Sequence, residues 1–327
     1  MKEKLLLILL LGIVMTGAAQ TETLYSPDGY IKVMVDCSTK QLQYSVQSTH
    51  PYIDSLGNAF ILPSNIGLEL DNGTILGRNP KVTKIERKSV DQEVAAYFYK
   101  KAKIQDQYNE LIISFKGDFQ LIFRAYNSGI AYRFVTNRKE SLVIKNEIAE
   151  FNFPDNGISN LEPKAFIPYV NRQAAKNGDF SEQLCTSFEN TYVDTFLCNM
   201  ANDRLAFLPM MVNIFYMPRW ESNLNNWHTR KAVITEADLY DYPGMYLKHT
   251  KGNSMIGYFA PLPKTWEQGG HNNLQYVVKE RENYIAKTAG TRNFPWRVIA
   301  IATEDKDLAN NDLVYLLSEP SKVADIS

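Results

Sequence analysis

Residues 234–247, Ile-Thr-Glu-Ala-Asp-Leu-Tyr-Asp-Tyr-Pro-Gly-Met-Tyr-Leu, crowd three carboxylates (Glu236, Asp238 and Asp241) and three tyrosines into one short run. Clustered negative charge costs free energy unless something nearby offsets it. Carboxylate oxygens beside aromatic rings suit a hard cation or a polyol. The Pro243-Gly244 pair marks a turn and bars the middle of a strand or helix. Spacing alone equally permits an acidic surface loop that caps a short helix and holds no ligand.

Two tryptophan-flanked stretches could recognise sugar. Trp220-Glu-Ser-Asn-Leu-Asn-Asn-Trp227-His228 combines amides with indole rings, and Trp266-Glu-Gln-Gly-Gly-His271-Asn272 repeats the theme. A pyranose needs both parts, since its hydroxyls take hydrogen bonds while its C–H face stacks on an aromatic ring. Trp227 and His228 are the candidate carbohydrate-binding pair. Either stretch could instead be a loop whose tryptophans pin it to a sheet. The motifs of several other chemistries are missing from the sequence. His50, His228, His249 and His271 form no HxH or HExxH array, and there is no GxSxG elbow, Cys-His protease signature, GxGxxG or P-loop.

The elements that must position these residues read as β-strands. Ile31, Val33 and Val35 alternate with polar neighbours, as do Leu42, Tyr44 and Val46, with a turn at 37–40 between them. Strand patterns continue at 66–70, 82–90, 94–103, 108–115, 119–126 and 130–135, joined in a meander by turns such as Lys116-Gly117-Asp118 and Asn127-Ser128-Gly129. The signal weakens over 151–202, where 174–180 reads as a polar loop. It resumes at 206–216, 230–235, 254–259, 274–278, 284–286 and 297–302. Helical spacing is confined to 305–310 and 312–317, behind aspartates placed as caps. The expectation is a mainly β fold, a large antiparallel β-sandwich of two packed sheets with short helices near the C-terminus.

The 327 residues carry a formal net charge of -1 and are 22% charged, which gives no sign of nucleic-acid or anionic-membrane partners. Lys2 and Lys4, an apolar run at 5–15 and small residues at 16–20 form a secretory signal peptide over residues 1–19. The mature chain is therefore expected in the periplasm or outside the cell, with nothing later apolar enough to cross a membrane. Of Cys37, Cys185 and Cys198, only the last two are close in sequence. An oxidising compartment permits them a bridge, and three unconnected thiols are the alternative.

The order of segments resembles a known family. Ser26-Pro-Asp-Gly29, Tyr108-Asn-Glu-Leu111 and Arg124-Ala-Tyr-Asn-Ser-Gly-Ile-Ala-Tyr-Arg-Phe134 look like its early landmarks, and 234–247 with Phe294-Pro-Trp-Arg-Val-Ile299 like its later ones. Together they resemble the N-terminal domain of glycoside hydrolase family 97, α-glucosidases and α-galactosidases that act on α-linked oligosaccharides. The resemblance implies a galactose mutarotase-like β-super-sandwich over 20–300, with 301–327 as short helices leading toward a (β/α)8 catalytic barrel in cis. It also implies calcium at an active site whose acid and base or nucleophile belong to the barrel, with one calcium-binding glutamate supplied by the sandwich. That glutamate matches Glu236.

The chain stops in mid-connection at 318–327, as if cut at a domain boundary. Glycoside hydrolysis needs two carboxyls flanking the scissile bond, and calcium takes about six to eight oxygens. No catalytic residue is therefore assigned here, and the chain alone is expected to be inactive and to hold calcium weakly or not at all. The competing expectations are a stand-alone carbohydrate-binding sandwich and a mutarotase-like epimerase using His228 or His271 with a glutamate.

Overall fold

The computed structural model describes residues 20–53, 58–96, 99–155, 161–170, 172–180, 192–221, 223 and 226–319. Two ten-stranded antiparallel sheets pack face to face, as the alternating pattern requires. The chain opens in the first sheet with β1 (Thr21–Tyr25), β2 (Ile31–Asp36), β3 (Gln43–Ser48) and β4 (Ala59–Leu70), each paired with the next. It then crosses to the second sheet for a meander of β5 (Val82–Ala95), β6 (Lys103–Phe115), β7 (Phe119–Tyr126) and β8 (Gly129–Asn137). β9 (Leu142–Asn152) returns to pair with β4, and β10 (Lys164–Pro168), β11 (Tyr192–Phe196), β12 (Met210–Tyr216) and β13 (His228–Ala237) extend the second sheet. β14 (Met245–His249) and β15 (Ser254–Phe259) go back to the first sheet beside β9.

β16 (Pro263–Gly269) and β17 (Gln275–Arg281) form a hairpin that pairs with neither sheet. β18 (Trp296–Ala302) closes the second sheet between β13 and β8. Helices α1 (Asp305–Ala309) and α2 (Leu313–Leu317) end the described chain.

Alternation along β18 shows how one strand serves two surfaces. Ile299 joins the main core between the sheets, whereas Trp296, Val298 and Ala300 join an outer cluster with Ala131, Ala237, Leu313 and Leu317. The short helix α2 thus covers the outer face of the second sheet. It is strapped there by the tip of the β5–β6 hairpin. Tyr99 stacks on Tyr315 at 4.3 Å, its hydroxyl donates to Asp312 at 2.9 Å, and Lys101 pairs with the same carboxylate. Lys100 donates to the carbonyl of Ala309 at 2.8 Å, satisfying the C-terminal end of α1.

The expected sandwich and C-terminal helices are what the chain forms, and several details differ. The meander is two meanders, one per sheet. The expected separate strand over 94–103 is not formed, because β5 runs on to Ala95, β6 begins at Lys103, and the described residues between them are in neither strand. The 174–180 loop carries a helical turn at Gln173–Lys176, with Ala174 and Ala175 buried. Trp266 lies on strand β16 and not in a loop. Cys37 is a buried free thiol and Cys198 an exposed one; Cys185 and the signal peptide expected at 1–19 lie outside the described residues.

Candidate functional site

Strand β13 alternates Ala232, Ile234 and Glu236 toward the core, so Glu236 points between the two sheets at the strand's end. In register beside it on β18 is Arg297. Arg297 is completely buried. Its Nη1 donates to Glu236 Oε2 at 2.7 Å, while its Nε and Nη2 donate to Glu147 Oε1 and Oε2, each at 2.7 Å. Glu147 belongs to β9, so the guanidinium ties the first sheet to the second. The rings of Phe259 and Tyr242 pack against it at 5.1 and 6.0 Å. Two carboxylates against one guanidinium leave an excess of negative charge inside the fold. Burial is the main cause that raises the Glu236 pKa above the ordinary carboxylate value, with the Glu147 charge adding to it, while the Arg297 charge and the Met245 amide oppose the rise.

The acidic run after Ala237 is the connection from the second sheet to the first, and it contains no helix. Both carboxylate oxygens of Glu236 accept the Met245 N–H at 3.2 Å, joining the end of β13 to the start of β14. Asp238 and Asp241 both adopt positive φ, 59° and 44°, a conformation that aspartate tolerates better than most residues. Asp238 accepts from Arg133 at 3.1 Å and from the Glu319 N–H at 3.2 Å. Arg133 in turn lies 4.3 Å from the Trp296 ring, and Arg124 fills the space between Trp296 and Tyr108. Around Asp241, Arg292 reaches the carbonyls of Tyr240 and Asp241, the latter at 3.2 Å. Asp238 and Arg292 are therefore braces, and Glu236 alone of the three carboxylates enters the buried ion cluster.

Glu236 also lines an open cleft of about 1000 Å³ together with Leu239, Asp241, Tyr242, Arg281 and Arg292. Among the described residues no group of three or more His, Cys, Asp or Glu side chains could hold a metal ion. One oxygen of Glu236 is committed to Arg297, and both share the Met245 amide. The described side chains thus fall short of a calcium shell. Glu236 fits one ligand of such a shell and no more.

The sugar candidates fall at a distance. His228 is exposed at the first residue of β13, its ring 5.8 Å from Tyr216, and Trp227 is half-buried just before it. Eight residues of strand separate His228 from Glu236, roughly 26 Å, so the two cannot touch one sugar ring. His249 is buried, its Nε2 2.9 Å from the Gly252 carbonyl oxygen. Sequence reasoning missed Arg297 and Glu147. A signal existed: Arg297 interrupts Trp-Arg-Val-Ile-Ala-Ile-Ala, and a charge inside an apolar strand requires a buried partner.

A family model described as Glycosyl-hydrolase 97 N-terminal matches residues 24–320. A retaining alpha-galactosidase of Bacteroides thetaiotaomicron is 40% identical over 99% of this chain, and the chain spans 45% of that relative's length. Among solved structures, a glycoside hydrolase family 97 enzyme from Pseudoalteromonas sp. strain K8, in complex with panose, superposes with a TM-score of 0.69 at 22% identity. That match covers 94% of this chain and 39% of the enzyme. A beta-arabinopyranosidase superposes at 0.61 with 18% identity, over 87% of this chain and 40% of its own. The two structures share the fold. With the family match running almost from end to end, the chain belongs to the glycosyl-hydrolase 97 N-terminal family.

Proposed function

We propose that this chain is the N-terminal part of an exported, calcium-dependent α-glycoside hydrolase and completes the active site of a catalytic domain in cis. Glu236 would give that site one calcium-binding oxygen, and the cleft beside it would form one wall. The observation that carries the reading is the placement of Glu236, held by Arg297 and the Met245 amide at the margin of an open cleft and in a cluster with surplus negative charge. Such a carboxylate is preorganised to meet a cation without reorganising. The catalytic acid and base or nucleophile would come from the second domain, so the isolated chain would not hydrolyse glycosides. The resemblance to a retaining alpha-galactosidase makes α-galactosides the first substrates to try.

The test is a chimera in which this chain replaces the matching segment of the Bacteroides thetaiotaomicron enzyme. It should cleave aryl α-galactosides, and the isolated chain should not. Glu236→Gln in the chimera should lose turnover and require more calcium for what remains. A Glu236→Gln chimera with the parent's turnover and calcium response would defeat the reading.

A further inference from the structure

The opposite end of β13 opens into a second cleft, of about 570 Å³. At its floor Arg230 is 2% exposed, with its guanidinium held between the rings of Phe60 at 4.1 Å and Tyr216 at 4.9 Å. Burial pushes this guanidinium down to about 10, unusually low for arginine. Along the wall runs a ladder of rings from three separate segments. Tyr30 lies 4.4 Å from His50, His50 5.3 Å from Tyr52, and Tyr52 5.4 Å from Trp220 in an edge-on contact. Tyr30, Tyr52 and Trp220 are 44%, 58% and 63% exposed. Exposed rings are ordinary singly, but a contiguous row lining a cavity marks a binding surface.

The ladder is built and not incidental. The Arg219 N–H donates to the Tyr52 carbonyl at 2.8 Å and its Nε to the Ile53 carbonyl at 3.2 Å, locking the Tyr52 and Trp220 loops together. The Thr49 N–H donates to the Tyr30 carbonyl at 2.9 Å, fixing Tyr30 beside His50. Asp28, Asn127, Asp307 and Asn310 surround the opening with acceptors and amides. Two rim carboxylates disfavour a phosphate-bearing or nucleic-acid ligand, and the polar floor disfavours a purely apolar one. Rings in a row with amides and a buried donor beneath fit the alternating C–H faces and hydroxyls of a neutral sugar chain.

We propose that this cleft is a non-catalytic glycan-binding site, in which Trp220 and Tyr52 stack against pyranose rings while Arg230, Asn127 and Asn310 hydrogen-bond their hydroxyls. The site lies the length of β13 away from Glu236 and does not rest on the calcium reading. It would hold an oligosaccharide near the protein whether or not an active site is assembled.

The experiment titrates this chain, with EDTA present, against maltoheptaose and stachyose by calorimetry and tryptophan fluorescence. At least one sugar should bind. Trp220→Ala and Tyr52→Ala should each weaken it by about tenfold, the scale of one lost stacking contact. Tyr276→Ala, an exposed position on the separate hairpin, should bind as the parent does. All three positions are exposed, and matching melting curves would confirm intact folding. No binding at millimolar sugar, parent-like affinity in both ladder variants, or loss in Tyr276→Ala would each overturn the proposal.

Discussion

Arg297 and Glu147 come from opposite sheets and meet in the interior through two parallel hydrogen bonds of 2.7 Å. The guanidinium then extends a third donor to Glu236 on its own sheet. One arginine therefore sets the spacing of the sheets and the position of the carboxylate at the cleft. Removing it would leave two buried carboxylates uncompensated. Arg297→Ala is expected to destabilise the fold by about 3–5 kcal/mol, whereas replacing all three partners with apolar residues of similar volume should cost far less. Urea denaturation decides this, and an Arg297→Ala variant within about 1 kcal/mol of the parent would refute the buried-cluster account.

Acidification should favour the parent over Glu236→Gln. Burial raises the folded pKa of Glu236 above its unfolded value, so the folded chain takes up the proton first as pH falls. Its contribution is fully present below the unfolded pKa and is lost as pH rises through the raised folded one. Denaturation across a pH series should show the parent gaining on the variant on acidification, then levelling. A parent that loses ground as pH falls would contradict the shift.

The strap over α2 should respond in the opposite sense. Burial opposes ionisation of Asp312, yet hydrogen bonds from Lys101, Tyr99 and Lys100 outweigh it and hold the carboxyl below its ordinary value. That contribution is present above the unfolded pKa and is lost as pH falls through the depressed one. The lysines are more than a third exposed, so Asp312→Asn should cost no more than about 1 kcal/mol. It should nevertheless speed tryptic cutting after Lys306 at neutral pH, and its stability deficit should fade in acid. Unchanged cutting would mean that the strap does not hold the helices.

Gly129 should resist enlargement. It sits at φ 144°, and a Cβ there would lie 2.3 Å from the Ile299 carbonyl oxygen and 2.9 Å from both Ala300 Cα and Leu313 Cδ1. Two of those neighbours are backbone of β18 and cannot turn aside. Gly129→Ala should cost about 1–3 kcal/mol or more, read as a lower melting temperature. Gly73→Ala, at φ 80° with nothing within 4 Å, separates crowding from backbone strain and should be milder.

Much of the sandwich was legible because alternation declares which residues face a core. Ile31, Val33 and Val35 are all buried, as are Leu121 and Phe123 on β7. Alternation does not say where a hairpin turns, so the tip around Tyr99–Lys101 read as a strand until its contacts with Asp312 were visible. It also does not say which sheet a strand joins. Glu147, Glu236 and Arg297 lie far apart in sequence and meet only because β9 faces β13 and β18 across the core. The family resemblance singled out Glu236, and only the fold explains what holds it. Trp227 and His228 drew notice by residue type, yet the rings lining a cleft are Trp220 with Tyr30, His50 and Tyr52, which no local window connects.

The β16–β17 hairpin belongs to neither sheet, and its base is closed by the Leu262 N–H to the Tyr284 carbonyl at 2.9 Å and the Glu282 N–H to the Leu262 carbonyl at 2.8 Å. The outer part of this arm is thus a removable module. Its length can change, or a reporter peptide can be spliced into its tip, while the closing bonds at its root keep the two ends at the same separation. Among relatives of this fold, such an arm is where insertions would accumulate at least cost, and in the laboratory it is the natural handle for labelling or immobilising the chain.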